Sequence, residues 1–272
     1  MDPLRKFLLK PTKLSANQIK LKNWDPSYNG NKSKIDMVTE MEQFSKKISE
    51  LQYKLFAANN KSLLIILQGV DASGKDGTIR NVMKGLNPQS CDIKSFKVPN
   101  ENESAHDYLW RIHIEIPKKG QISIFNRSHY EDIIEPNVNN LISNDVLIRR
   151  YRQINDFERY LTENDITIIK FFLHISKDEQ KKRLQERIQD PTKHWKINES
   201  DIINHRNWDK YMDAYERVLS LCSNKWAPWY IIPANVKYFR NWAISYVILK
   251  KLEIMKPEFP ELKIDPSEFK ID

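Results

Sequence analysis

Ser62-Leu-Leu-Ile-Ile-Leu-Gln68, followed at once by Gly69-Val-Asp-Ala-Ser-Gly74-Lys75-Asp76-Gly77-Thr78-Ile79, decides the reading of the whole chain. The first run is short, apolar and continuous, with the length and Ile/Leu content of a strand buried on both faces of a parallel sheet. The second fits Gly-x-x-x-x-Gly-Lys, the phosphate-binding loop pattern. Glycines there let backbone N–H groups turn inward around phosphate oxygens. The helix that follows points its positive end at the anion. Lys75 adds a full charge on a flexible stem. Strand before and helix after is the context the pattern requires.

Working outward, four more strand-like runs occur, at residues 92–98, 121–125, 166–174 and 229–232. Helical patterns separate or follow them at 101–115, 144–161, 177–189, 199–221 and 238–255. Strands alternating with helices predict an α/β fold: βαβ units, right-handed crossovers and a parallel sheet in a three-layer α/β/α sandwich. Upstream, Met37, Met41, Phe44, Ile48, Leu51 and Leu55 recur at steps of four and three, one face of a long amphipathic helix. Such a stripe predicts core or a subunit interface. Residues 1–35, Lys-rich with Pro3, Pro11 and Pro26, suggest an N-terminal extension; 36–256 form the phosphate-loop domain; 257–272 form a proline-containing tail.

The chain has 272 residues, 44 Lys+Arg against 36 Asp+Glu and a net charge of +8. Hydrophobic residues at 40% exclude a wholly disordered chain. The longest obvious apolar run, Leu63 to Leu67, is far short of the roughly 20 residues of a membrane helix. Cys91 and Cys222 form no Cys-x-x-Cys pair, which argues against a disulfide scaffold or a cysteine zinc site. The expectation is a reduced, cytoplasmic protein without a membrane partner. Its basic balance favours an anionic one.

Within the loop, Gly69, Ala72, Ser73, Gly74, Asp76, Gly77 and Thr78 are the expected nucleotide- and phosphate-binding positions. Two departures stand out. Asp76 replaces the usual Ser or Thr and is taken as a helix N-terminal cap. Asp71 puts a carboxylate inside a phosphate cradle, which is costly unless a cation intervenes; it is a candidate metal ligand or base. The third strand ends in Asn126-Arg127-Ser128-His129-Tyr130-Glu131-Asp132. Asn126 stands where a metal-binding Asp is usual, and Arg127 lies at the carboxyl edge of the sheet, where open α/β folds bind ligands. Further on, Arg183 and Arg187 share a helix face. Pro191 breaks that helix, and Lys193 and Lys196 flank Trp195. A basic lid over about 183–205 is expected to close on phosphates. Trp110, Trp208, Trp226, Trp229 and Trp242 are expected in the core. His106 and His113 lack metal-ligand spacing.

Several blocks resemble the polyphosphate kinase 2 family: GVDASGKDGTI, SFKVPNENESAHDYLWRIHIEIPKKGQISIFNRSHYEDI, FFLHISKDEQKKRL, RIQDPTKHWKINESD and the upstream LKNWDPSYNG. The likeness runs from about Leu21 to Met255. It implies a thymidylate kinase-like fold with a helical lid. It also implies reversible transfer of the terminal phosphoryl group of inorganic polyphosphate to a nucleotide, with Mg²⁺ and Mn²⁺ as a substitute. Carried over, Asp71, Lys75, Arg127 and Asp132 would be catalytic, Asp71 and Asp132 the metal ligands, and Arg183, Arg187, Lys193 and Lys196 the lid and polyphosphate track. Asn126 together with Glu131 is similar to the third class of the family, which accepts both AMP and ADP. Loss of a charge at Asn126 would ease two phosphate arrangements, and Glu131 would accept a hydrogen bond from the adenine amino group. Family members tend to be homodimers or homotetramers, and guanine nucleotides remain open as acceptors. The competing readings are an ATP-dependent phosphate-loop kinase, a catalytically dead phosphate-loop scaffold and a nucleic-acid-binding protein. The last lacks any reader motif, so no nucleic acid partner is expected.

Overall fold

The computed structural model describes residues 4–9 and 19–262. Two 3-10 turns (Arg5–Phe7, Leu21–Asn23) precede α1 (Lys34–Ala58), β1 (Ser62–Gln68), α2 (Lys75–Val82), β2 (Cys91–Ser95), α3 (Glu101–Ser104), α4 (Trp110–His113) and β3 (Ile122–Asn126). Then come α5 (Glu131–Val138), α6 (Asn144–Glu163), β4 (Ile166–His174), α7 (Lys177–Gln189), a 3-10 segment (Pro191–Lys196), α8 (Glu199–Arg206), α9 (Trp208–Leu221), β5 (Trp229–Pro233) and α10 (Lys237–Met255). The sheet order is β2-β3-β1-β4-β5, with every pair parallel.

β1 is central and buried at every position, as its unbroken apolar run demands. Leu67 is level with Asn126 of β3 and with Phe171 of β4. The carboxyl ends of the central strands therefore open onto one edge, and the phosphate loop, Arg127 and the start of α7 meet there. α10 packs on α1, α2, β4 and β5, while α5, α6 and α9 form a second contacting group with α6 on β4. These are the outer layers of the expected sandwich. Serine side chains cap three helices: Ser33 accepts from Asp36 N, Ser143 from Val146 N and Ser176 from Glu179 N. Each such cap contributes about 1 kcal/mol.

The stripe on α1 is core of this same chain. Met37, Ile48 and Leu55 are buried, Phe44 meets the rings of Trp242 and Tyr246, and Trp242 Nε1 donates to Glu40 Oε2 at 2.6 Å. The N-terminal residues described are not a detached arm. Leu4, Phe7, Leu9 and Leu21 are buried, Leu9 N donates to Trp229 O, and Leu8 bridges Tyr230 in antiparallel fashion. This covers the otherwise open edge of β5. Residues 10–18 and 263–272, parts of the expected extension and tail, lie outside the described residues.

Two expected helices are broken. In 101–115, Asn100 and Glu103 close a capping box, and Asp107 Oδ1 takes Leu109 N at 3.0 Å. These local acceptors compete with the helical ladder and leave two single turns, α3 and α4. In 199–221, Asn207 leaves helical geometry and separates α8 from α9. Trp208, Trp229 and Trp242 are in the core as expected, Trp110 and Trp226 are partly buried, and Trp195 is 79% exposed. Among the described residues no helix is long and apolar enough to cross a membrane.

Candidate active site

The loop after β1 has the backbone its sequence implies. Gly69 (φ 152°), Ala72 (φ 61°) and Gly74 (φ 104°) have positive φ. A side chain on Gly69 would come within 2.9 Å of Leu173 O, so the turn requires glycine there. Lys75 starts α2 and folds back across the loop: its Nζ donates to Gly69 O (2.6 Å) and Val70 O (3.2 Å). Burial, with Arg127 adding to it, pulls the Lys75 ammonium down to about 8. Among the described residues the fully buried Ser73 Oγ has no hydrogen-bond partner. Thr78 Oγ1 is committed to the loop, donating to Gly74 O at 3.1 Å.

Arg127, held at φ 64° at the end of β3, turns its guanidinium onto Asp71: Nη2 donates to Oδ1 at 2.7 Å. Asn204 of α8 donates to the other oxygen, Oδ2, at 2.9 Å. Burial would raise the Asp71 carboxyl, but the charges of Lys75 and Arg127 and the Asn204 bond outweigh it and hold Asp71 ionised. Burial likewise opposes the charge of Arg127, and Glu131 and Asp71 keep it firmly protonated. Gly69, Val70, Asp71, Arg127, Glu131 and Glu135 line one narrow cleft, closed on its far side by Gln180, Asn204, Tyr211 and Tyr215. Tyr211 OH donates to both oxygens of Glu135 (3.1 and 2.9 Å). A larger hollow of about 330 Å³ at the opposite end of β1, between Leu55, Lys61 and Met255, contains none of these groups.

Four expectations need correction in placement. Asp76 is more than a helix cap. Its Oδ1 accepts from Asn126 Nδ2 (2.9 Å) and its Oδ2 from Lys196 Nζ (3.1 Å), so it ties β3 to the 3-10 segment Pro191–Lys196. Asp132 is not in the cleft. It is paired with the buried Arg111 (3.0 and 3.3 Å), whose Nη1 donates to Lys97 O, and its carbonyl takes Arg150. Glu131 lines the cleft but is not free there. It lies against Arg127 (4.0 Å), and burial pushes its carboxyl up to about 7. Arg183 is no lid cation: Nε donates to Glu179, Nη1 to Ala72 O and Ser73 O, and Nη2 to Ala234 O and Asn235 O. All five of its N–H groups are used to clamp the loop against β5 and α7.

Three expected lid cations each hold a carboxylate: Arg187 with Asp201, Lys193 with Asp190 and Lys196 with Asp76. Sequence reasoning missed Glu135, Gln180, Asn204, Tyr211, Tyr215, Arg111 and Arg240. Single polar residues on amphipathic helices carry no local signal of the loop they will meet.

Among the described residues no group of three or more His, Cys, Asp or Glu forms a ready-made metal cage. A hard cation such as Mg²⁺ can be held by one or two carboxylates together with substrate phosphates. Asp71, ionised and lining the cleft, fits that role; Asp132, outside the cleft, does not.

A phosphate loop after the central strand of a 2-3-1-4-5 parallel sheet, with an arginine at the neighbouring strand end and a basic segment above, defines a phosphate-loop kinase. The family described as Polyphosphate kinase 2 matches residues 31–260, and the chain belongs to that family. It is 42% identical over 262 residues to the AMP/ADP-polyphosphate phosphotransferase of Meiothermus ruber, covering 95% of this chain and 96% of the relative. It is 40% identical over 250 residues to the ADP-polyphosphate phosphotransferase of Rhodopseudomonas palustris, covering 87% and 85%. The crystal structure of Polyphosphate Kinase 2 from Arthrobacter aurescens TC1 superimposes with a TM-score of 0.92 at 37% identity, covering 98% of this chain and 94% of that one.

Proposed function

We propose that this protein transfers the terminal phosphoryl group of inorganic polyphosphate to AMP and ADP, giving ADP and ATP, in a reversible, metal-dependent reaction. The observation that carries this is the convergence of Asp71, Lys75 and Arg127 on one cleft, in a fold shared over nearly its full length with relatives named for this transfer. An oxygen of the acceptor's terminal phosphate attacks the terminal phosphorus of the chain. The bridging P–O bond breaks, and polyphosphate leaves one unit shorter. Such transfers need positioning and charge neutralisation more than covalent help.

In this reading the loop N–H groups and Lys75 hold phosphate oxygens, Lys75 exchanging the carbonyls of Gly69 and Val70 for the substrate. Arg127 exchanges part of its pairing with Asp71 for a phosphate. Asp71, so released, would hold Mg²⁺ or Mn²⁺, which when bound would supply positive charge to neutralise the phosphate oxygens. Asp132 acts from behind, by fixing Arg111 and Arg150 near the base of α5. The lid is the segment beyond Asp190 together with α8. Arg187, Lys193 and Lys196, each on a carboxylate in the free protein, are the cations a polyphosphate chain would claim. Asn126 donates to Asp76, so an Asp there would set two carboxylates together. That supports a role in accepting two nucleotides whose phosphates differ in charge. A homodimer or homotetramer in the cytoplasm is the expected setting, in keeping with two free cysteines.

The test is to mix the protein with long-chain polyphosphate, Mg²⁺ and AMP, without ATP, and to follow nucleotides by chromatography. ADP followed by ATP is the expected course. Product from ADP but not from AMP would keep the donor and remove the dual acceptor. No product from either, with transfer from ATP to a nucleotide instead, would replace polyphosphate as donor.

A further inference from the structure

Packed against the phosphate loop, and outside the lining of the cleft, lies Arg240 of α10, 3% exposed. Its Nε and Nη2 both donate to Asn241 Oδ1 (3.1 and 2.9 Å), and its Nη1 reaches Ser73 O at 3.4 Å. Among the described residues no carboxylate lies within ion-pairing distance of it. Its neighbour Arg183 differs, since Glu179 neutralises that guanidinium at 2.7 Å. The loop is shaped around Arg240: a side chain on Gly74 would come within 1.9 Å of Arg240 Nη1, and one on Gly77 within 3.4 Å of Nη2. Burial and then Arg183 pull the guanidinium down to about 9, which still leaves it charged at neutral pH.

A buried charge with no counter-ion is normally removed or paired, because desolvation outweighs what neutral hydrogen bonds return. Here it has been kept directly beneath the Gly74 turn, whose other side is built to receive anions. We infer that Arg240 is a fixed positive charge whose counter-ion is the phosphate bound on the front of the loop, and so a positioning residue for phosphate affinity. The inference rests on the phosphate-binding reading of the loop given above. The charge acts through the backbone of Ser73 and Gly74 at short range and low dielectric, where salt screens it little. Lys75 and Arg127 neutralise the anion from the cleft side; Arg240 does so from within the protein. Because Arg240 touches no substrate, removing its charge should alter binding without removing any direct contact.

The experiment compares wild type, Arg240→Met and Arg240→Lys for binding of inorganic triphosphate, by thermal shift and by calorimetry, with and without Mg²⁺, and for KM and kcat with polyphosphate. The Met variant should bind triphosphate about tenfold or more weakly, as expected for loss of one poorly screened charge, and its triphosphate-induced rise in Tm should shrink. KM for polyphosphate should rise more than kcat falls. The Lys variant, which keeps the charge but not the fork, should retain most of the affinity. If wild type binds triphosphate and the Met variant binds it equally well, the inference is overturned while the phosphate-loop reading stands. If wild type itself shows no triphosphate binding, that reading fails and the inference with it. Should the Met variant not fold, the Lys variant decides: near-wild-type affinity supports the charge, and affinity lost in a folded Lys variant refutes it.

Discussion

At the residue scale the site is a balance of opposed charges in a confined volume. Asp71 offsets Lys75 and Arg127 in the free protein. Asp71→Asn should therefore lower kcat by about a hundredfold or more, the size seen when one preorganised electrostatic group is removed. Steady-state kinetics with polyphosphate and ADP will show it. Folding should survive, because Asn can still accept from Arg127 or Asn204. Glu131 gives a pH dependence of definite sign. Its folded carboxyl lies near 7 against an ordinary 4.5, so between those values the native state binds the extra proton. Stability then falls as pH rises from about 4.5 through 7. Glu131→Gln should flatten that slope in metal-free denaturation curves. A slope unchanged in the variant would assign the titration to another group. Gly74→Ala meets both a positive φ and the Arg240 guanidinium. It should destabilise the protein by about 1–3 kcal/mol, read by urea unfolding.

At the scale of elements, the loop, the end of β3 and the lid are linked through side chains more than through packing. Asp76 joins all three, with Asn126 on one oxygen and Lys196 on the other. Asn204 brings α8 onto Asp71 in the same way. These contacts draw the 3-10 segment and α8 toward the loop with the loop's own carboxylates. A polyanion would compete for the lid cations. The dependence of polyphosphate KM on salt should therefore be steeper than that of ADP. Lys196→Ala should raise polyphosphate KM several-fold and reduce the log–log salt slope by about one. Equal slopes for donor and acceptor would remove the basic track. The elements themselves were largely legible. The strand before the loop, β4 and α7 fall where their apolar runs and periods put them. The breaks at Ala105 and Asn207 were not visible, because short polar side chains choose between helix and local acceptors according to what packs beside them.

At the scale of the whole molecule, a charged cluster inside the core ties the sheet to α6. Lys170 Nζ on β4, fully buried, donates to Glu158, to Tyr130 OH (2.7 Å) and to Cys222 O (2.8 Å), and His129 Nε2 also meets Glu158 at 3.3 Å. Burial pulls the Lys170 ammonium down, and the lysine and His129 beside it hold the Glu158 carboxyl below its ordinary range against its own burial. Glu158→Gln leaves Lys170 with no opposite charge, and should cost about 3–5 kcal/mol of unfolding free energy, as breaking a buried pair does. Denaturant unfolding checks it; a loss under 1 kcal/mol would mean that water or rearrangement rescues the lysine. This cluster lies away from the cleft, so substrate affinity of the folded variant should change little.

By itself the sequence determined the kind of fold, the place of the phosphate loop and the candidacy of Asp71, Lys75 and Arg127. Those features rest on contiguous residues, where strand burial, glycine geometry and the start of a helix are read within one short stretch. The tertiary structure alone decided which charges face the cleft. Arg183 became a loop clamp because its helix begins beside the end of β5, whose neighbouring carbonyls of Ala234 and Asn235 await donors. Asp132 was drawn to Arg111, and Glu131 was set into the wall of the cleft that Tyr211 and Tyr215 also line. Each outcome depends on partners far apart in the chain, brought together by packing of the sheet and helices. No spacing along the sequence records which of several chemically equivalent charges that packing will bury, pair or leave for substrate.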